Sequence, residues 1–125
     1  MNFNTVKFYK CMLWTCIAVI TIVALTPAPY AAETGFSDKL NHIAAFMVLS
    51  FLALKVYPGR FLVSGLWLLL YGIIIEAVQI LMPGRSCSVT DLGADVLGIF
   101  AGIFFTMITG LPAKRKDKKY LEKSR

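Results

Sequence analysis

Four long apolar stretches constrain this chain more than any other feature. They lie at about residues 8–26, 38–57, 61–82 and 89–111. Each is long enough for a helix to cross the ~30 Å hydrocarbon layer of a bilayer. With 58% hydrophobic residues, 16% charged residues and a mean hydropathy of +0.69, the chain has too little polar surface for a soluble domain. The sequence therefore predicts an all-α integral membrane bundle of four transmembrane helices.

Helix-ending residues separate these stretches, and one short tail follows them. Ser37 is a predicted cap of the second helix, Pro58 follows that helix, and Pro112 is predicted to end the fourth. The first stretch also resembles a signal peptide, although the residues after it lack a clear cleavage site. We predict a single four-helix domain over residues 1–113 and a basic cytoplasmic tail over residues 114–125.

The distribution of basic residues predicts the orientation of the helices. The net charge is +6, and seven of the 13 Lys and Arg residues lie in the last twelve positions. Other basic residues lie at or near the ends of the predicted helices, at Lys7, Lys10, Lys55 and Arg60. Loops rich in Lys and Arg stay on the cytoplasmic side, so both termini are predicted to be cytoplasmic. This charge is expected to contact membrane lipids, and no nucleic-acid partner is predicted.

Three cysteines are present, and their spacing predicts neither a disulfide framework nor a metal site. Cys11, Cys16 and Cys87 form no CxxC pair. The only histidine is His42, and the chain has no HExxH motif. We therefore expect no bound metal and no other cofactor.

The polar residues of three predicted helices fall on the faces that carry small residues. Residues at i, i+4, i+7 and i+11 share one face of a helix. Small residues allow close helix packing, so the polar groups beside Gly72, Gly98 and Gly102 should point into the bundle. At 1.5 Å per residue, these polar groups lie near the outer boundary of the membrane. The predicted ligand-binding pocket comprises Asp38, His42, Glu76, Gln79, Arg85, Asp91 and Asp95.

Several functions fit such a pocket. It could be a structural ion-pair network, because acids within a membrane span must be paired or protonated. It could be catalytic, with His42 as general base, Asp38 orienting it and Glu76 as a further candidate, although no nucleophile motif such as GxSxG is present. It could carry protons or ions through Glu76 and Asp95. Gly98 and Gly102 could instead form a homodimer seam, although packing within one chain is favoured.

The order of these motifs resembles the VanZ-like family. The resemblance covers about residues 37–102, through DKLNH in the second helix, ExxQ and PGR at the end of the third, then Asp91 and LGxxxG. Where Asp95 stands, the family pattern commonly has Asn. The motif positions carried over are Asp38, Lys39, His42, Glu76, Gln79, Arg85, Asp91 and Asp95.

The resemblance implies a multi-pass protein of the bacterial cytoplasmic (inner) membrane. The namesake is linked to low-level resistance to glycopeptide antibiotics of the teicoplanin type. The expected function is recognition of a lipid headgroup or a lipid-linked cell-wall precursor by the outward-facing pocket. Such a role would affect envelope composition or antibiotic susceptibility.

Overall fold

The computed structural model describes residues 3–27, 38–84 and 89–110, and these residues form four α-helices and no strand. The helices are α1 (Phe3–Leu25), α2 (Asp38–Val56), α3 (Phe61–Gln79) and α4 (Val89–Ile108). All four are long and apolar enough to cross a membrane. The all-helical fold with four potential spans is therefore confirmed.

The helix ends differ from the predicted limits at three places. α1 begins at Phe3, before the apolar run, so its first turn includes the polar residues Asn4 and Thr5. α3 ends at Gln79 and is followed by turns through Gly84, which has φ +75°. α4 ends at Ile108, ahead of Pro112, and Gly110 has φ +76°. Glycine adopts this left-handed conformation without a Cβ clash and commonly follows the last helical turn.

The interior of the bundle lies around α2, which packs against each of the other helices. Leu49 and Leu54 are fully buried, and Phe46 is 2% exposed. Large apolar side chains such as Trp14 and Trp67 are exposed on the outer surface. An exposed surface of this kind is suited to lipid, and the apolar exterior is consistent with a membrane bundle.

The closest helix packing joins α2 to α4, which run parallel to each other. A Cβ on Gly98 would lie 2.5 Å from the carbonyl oxygen of Ile43 and 2.9 Å from Cβ of Phe46. One turn later, a Cβ on Gly102 would collide with the carbonyl oxygen of Met47. These two glycines therefore let the α4 backbone lie directly on α2 within one chain.

A buried hydrogen bond accompanies this close packing. The Ser50 hydroxyl on α2 donates to the Ile99 carbonyl on α4 over 3.1 Å. Within α4, the buried Thr106 hydroxyl donates to the Gly102 carbonyl over 2.7 Å. These two buried hydroxyls thus have partners, as an apolar surrounding requires.

Candidate functional site

Ionisable side chains from three helices meet at one end of the bundle. α2 and α4 both begin at this end, and α3 ends there because it runs antiparallel to them. His42 lies in the second turn of α2, Glu76 in the last turn of α3, and Asp91 and Asp95 in the first two turns of α4. We call His42, Glu76, Asp91 and Asp95 the polar cluster.

The shortest contact in the polar cluster joins the imidazole of His42 to the carboxylate of Asp95. His42 Nδ1 lies 2.7 Å from Asp95 Oδ1, a distance typical of a charge-assisted hydrogen bond. Asp95 is fully buried, and the His42 side chain is 16% exposed. With Asp95 as a carboxylate, which only accepts, Nδ1 is the donor in this bond, and Nε2 faces Glu76.

Glu76 lies on the Nε2 side of His42, and Asp91 lies close to both residues. His42 Nε2 is 3.9 Å from Glu76 Oε1. One ligand atom from each of His42, Glu76 and Asp91 can be chosen so that all three lie within 4.8 Å of one another. Glu76 is 4% exposed, whereas His42 and Asp91 are half-buried. The cluster therefore has a buried floor, which includes Glu76, and a more accessible rim formed by His42 and Asp91.

Gly72 on α3 leaves the space in which the Asp95 carboxylate lies. A Cβ at position 72 would be 2.7 Å from Asp95 Oδ2 and 3.2 Å from Cζ of Phe46. Asp95 Oδ2 is buried and has no hydrogen-bond partner among the described residues. Gly72 was predicted as a packing residue, and here it makes room for a site carboxylate.

Gln79 and Tyr71 connect α3 to α1. The Gln79 amide donates to the carbonyl of Ala24 over 3.4 Å, and Gln79 is 5% exposed. Tyr71 Oη lies 2.9 Å from the Thr21 hydroxyl and donates to the Ile17 carbonyl over 3.3 Å. Gln79, expected in the ligand pocket, thus anchors the end of α1 beside the polar cluster. The role of Tyr71 was not predicted, because a lone tyrosine in an apolar run carries no periodic signal.

Three further residues of the predicted motif, Asp38, Lys39 and Arg85, are not placed in the polar cluster by the described part of the structure. Asp38 begins α2, but its side chain lies outside the described residues, and so does all of Arg85. Lys39 is exposed. Asp38 was expected to orient His42, but the carboxylate at Nδ1 is that of Asp95. The hydrogen bond at His42 Nδ1 therefore crosses the packing between α2 and α4.

The sequence had no signal for this pairing. His42 and Asp95 are 53 positions apart. Their shared register follows from the close approach at Gly98, which fixes how α4 slides along α2. An oriented imidazole next to two further carboxylates can hold or move a proton, bind a cationic group or ligate a metal ion.

An exposed apolar face lies elsewhere on the bundle. It is formed by Val63, Leu66, Trp67 and Leu70 on the outer surface of α3. These side chains belong to the first half of α3, whereas Glu76 lies near its end. This face is suited to contact with lipid chains, and it contributes no group to the polar cluster.

A family model described as VanZ/LLP1 matches residues 3–110, which include all four helices. No curated protein and no solved structure shows significant similarity to the chain. The match agrees with the motif order and with the four potential spans. A multi-pass membrane protein is therefore the coarse description that sequence, fold and family share. The chain belongs to the VanZ/LLP1 family.

Proposed function

We propose that this protein binds the polar group of a membrane-embedded ligand through the polar cluster, and that the ligand is a lipid headgroup or a lipid-linked cell-wall precursor. By binding it, the protein alters the composition of the cell envelope and susceptibility to glycopeptide antibiotics. In this arrangement the cluster faces the outside of the bacterial cytoplasmic membrane, because the loops at the opposite end carry Lys55 and Arg60.

The observation that carries this proposal is the convergence of ionisable groups at one end of an otherwise apolar bundle. Placing an acid within a membrane span costs about 2.5 to 3.5 kcal/mol on insertion scales. Glu76 and Asp95 lie in spans and are both buried. Helix packing does not need such groups, since Gly98 and Gly102 already bring α4 onto α2. Their presence is explained by a ligand at headgroup depth.

The shape of the cluster also favours a ligand that arrives from the membrane surface. His42 and Asp91 form its half-buried rim, and Glu76 and Asp95 form its buried floor. A polar headgroup at the membrane boundary would meet the rim first, while its acyl or polyprenyl chains remain beside the apolar helices. A soluble ligand has no such chains and would lack the contact with the apolar helices.

Complementation of a deletion strain tests the proposal. The wild-type gene should restore the lipid and cell-wall precursor profile and the teicoplanin susceptibility of the parent. Glu76→Gln and His42→Gln should accumulate in the membrane yet restore neither. Ser50→Ala is the matched control, because it removes a buried hydrogen bond of the same bundle outside the cluster. Full restoration by all three variants would exclude a role for the cluster.

A catalytic role is a second candidate, favoured by the 2.7 Å contact between His42 and Asp95. An imidazole held by a carboxylate at one nitrogen acts as a general base at the other. The reaction class would be hydrolysis or transfer at a phosphate or acyl group of a lipid-linked substrate. Lipid extracts from overexpressing cells distinguish the two roles: turnover would deplete one lipid and accumulate its product in wild type but not in His42→Gln, whereas binding leaves these totals unchanged.

A further inference from the structure

The mutual distances of three side-chain donors fit a single small cation. Donor atoms of His42, Glu76 and Asp91 lie within 4.8 Å of one another, and His42 Nε2 is 3.9 Å from Glu76 Oε1. Two ligands of one Zn²⁺ ion lie at most about 4 Å apart, since each bond is about 2.0 to 2.2 Å long. The His42–Glu76 pair already has this spacing. Coordination by all three requires side-chain movements of less than about 1 Å.

The orientation of His42 suits a metal ligand. A histidine that binds a metal through one ring nitrogen usually donates the other N–H to a carboxylate. Here Nδ1 is hydrogen-bonded to the buried carboxylate of Asp95, which leaves Nε2 facing Glu76. Asp95 is thus a positioning residue for the proposed ligand His42.

The charge of the polar cluster also favours a cation. Three carboxylates, those of Glu76, Asp91 and Asp95, surround one imidazole. Acidic groups therefore outnumber the one basic group in the cluster. A divalent cation would compensate their charge where burial makes uncompensated charge costly. Imidazole nitrogen combined with carboxylate oxygen favours first-row transition metals over Mg²⁺ and Ca²⁺, which select oxygen ligands.

We infer that His42, Glu76 and Asp91 bind one divalent transition-metal ion such as Zn²⁺ or Mn²⁺, and that Asp95 orients His42. Three protein ligands leave at least one coordination position open. At the end of the bundle, that position accepts a phosphate oxygen of the ligand. The inference rests on the headgroup-binding role proposed above, and it explains how an acidic cluster can bind an anionic group: the metal carries the positive charge.

Metal titration of the full-length protein tests the inference directly. Protein in nanodiscs is stripped with a chelator and titrated with ZnCl₂ or MnCl₂ by calorimetry. We expect one ion per chain, with Mg²⁺ and Ca²⁺ binding at least about 100-fold more weakly. Glu76→Gln and Asp91→Asn keep the side-chain shape and should abolish saturable binding. Tyr71→Phe, which removes a hydroxyl from the same helix as Glu76, should bind as wild type does.

Asp95→Asn isolates the positioning role. It keeps an acceptor for Nδ1 but loses the negative charge, and loss of such a partner typically weakens metal binding about 10- to 100-fold. Co²⁺ loading adds a spectroscopic signature: the visible bands of a bound nitrogen ligand should be present in Asp95→Asn at higher Co²⁺ and absent from His42→Ala. A His42→Ala protein that binds Co²⁺ with wild-type bands would overturn the site.

The outcomes of these experiments distinguish a failure of the metal inference from a failure of the proposed headgroup-binding function. If wild type shows no saturable binding of Zn²⁺ or Mn²⁺, or if Glu76→Gln and Asp91→Asn bind unchanged, the metal inference fails. The headgroup proposal still stands if Glu76→Gln fails in complementation. If metal binds through these residues but Glu76→Gln complements fully, the metal site is real and the proposed function fails.

Discussion

The packing between α2 and α4 has two halves of opposite character. In the first half, near the helix starts, His42 faces Asp95 through a 2.7 Å hydrogen bond between ionisable groups. In the second half, Gly98 and Gly102 bring the α4 backbone against the residues around Met47. The same two helices thus form a polar contact and a close backbone contact in consecutive turns.

The difference indicates a division of roles. The glycine half contributes close van der Waals packing, which drives helix association in lipid. The polar half contributes little net stability, since burying charged groups costs as much free energy as their attraction returns. We therefore expect the glycine half to stabilise the bundle and to set the register in which His42 meets Asp95. Four predictions test this comparison.

The largest effect is expected from breaking the buried pair on one side only. His42→Ala leaves Asp95 buried without its partner, so the free energy of unfolding should fall by roughly 3 to 5 kcal/mol. Replacing both residues, His42→Leu with Asp95→Leu, should recover most of this loss while abolishing complementation. Unfolding in mixed micelles measures both variants. A double variant as unstable as His42→Ala would show that the polar half is itself needed for stability.

The next largest effect is expected in the glycine half. Gly98→Ala places a methyl group against the Ile43 carbonyl and should destabilise the bundle by about 1 to 3 kcal/mol. Gly93→Ala is the matched control, because a Cβ at this position of the same helix meets nothing within 4 Å. Alanine favours helices over glycine, so the control should be unchanged or more stable. Equal stability of the two variants would contradict close packing at Gly98.

A smaller loss of stability is expected for a substitution on α3, at Gly72, which faces the packing between α2 and α4. Gly72→Ala pushes against Asp95 Oδ2 and the Phe46 ring, both side-chain atoms that can move, so the cost should be about 1 kcal/mol. The displaced carboxylate no longer holds His42, and complementation should be lost although the protein folds. Gly65→Ala, whose Cβ would make ordinary 3.8 Å contact with Ile99, is the control. Normal complementation by Gly72→Ala would show that the position of the Asp95 carboxylate is not needed for function.

The smallest effect is expected for the hydrogen bond in the glycine half. Ser50→Ala removes the donor to the Ile99 carbonyl. Hydrogen bonds between membrane helices contribute about 0.6 kcal/mol on average, so unfolding should change by this amount and complementation should be normal. A loss of several kcal/mol, measured in the same micelles, would mean that polar contacts rather than glycine packing hold α4 on α2.

Much of the fold could be predicted because transmembrane helices follow local rules. Apolar length identified the four helices, and the interior faces followed from the spacing of polar and small residues. Helix ends were less predictable. α3 ends at Gln79 and turns follow as far as Gly84, but Ile80 and the residues after it are as apolar as the helix. Apolar composition alone therefore cannot show where α3 ends.

The site was predicted only as a set of residues. His42, Glu76, Asp91 and Asp95 do meet, because shared depth and inward faces limit where side chains of one bundle can lie. Their partners were not predictable. The orienting acid predicted from spacing was Asp38, one turn from His42, and its side chain lies outside the described residues. The carboxylate that the structure places at His42 Nδ1 is that of Asp95, across the helix packing.

The sequence by itself determined that this chain is a four-helix membrane protein of the VanZ/LLP1 family with its ionisable groups near one end. These properties depend on composition and on spacing along single helices. Only the tertiary structure decided that Asp95 holds Nδ1 of His42, and that Nε2 faces Glu76. The physical reason is register: the sliding of α4 along α2 is set by backbone contact at Gly98 and Gly102, which no single helix specifies.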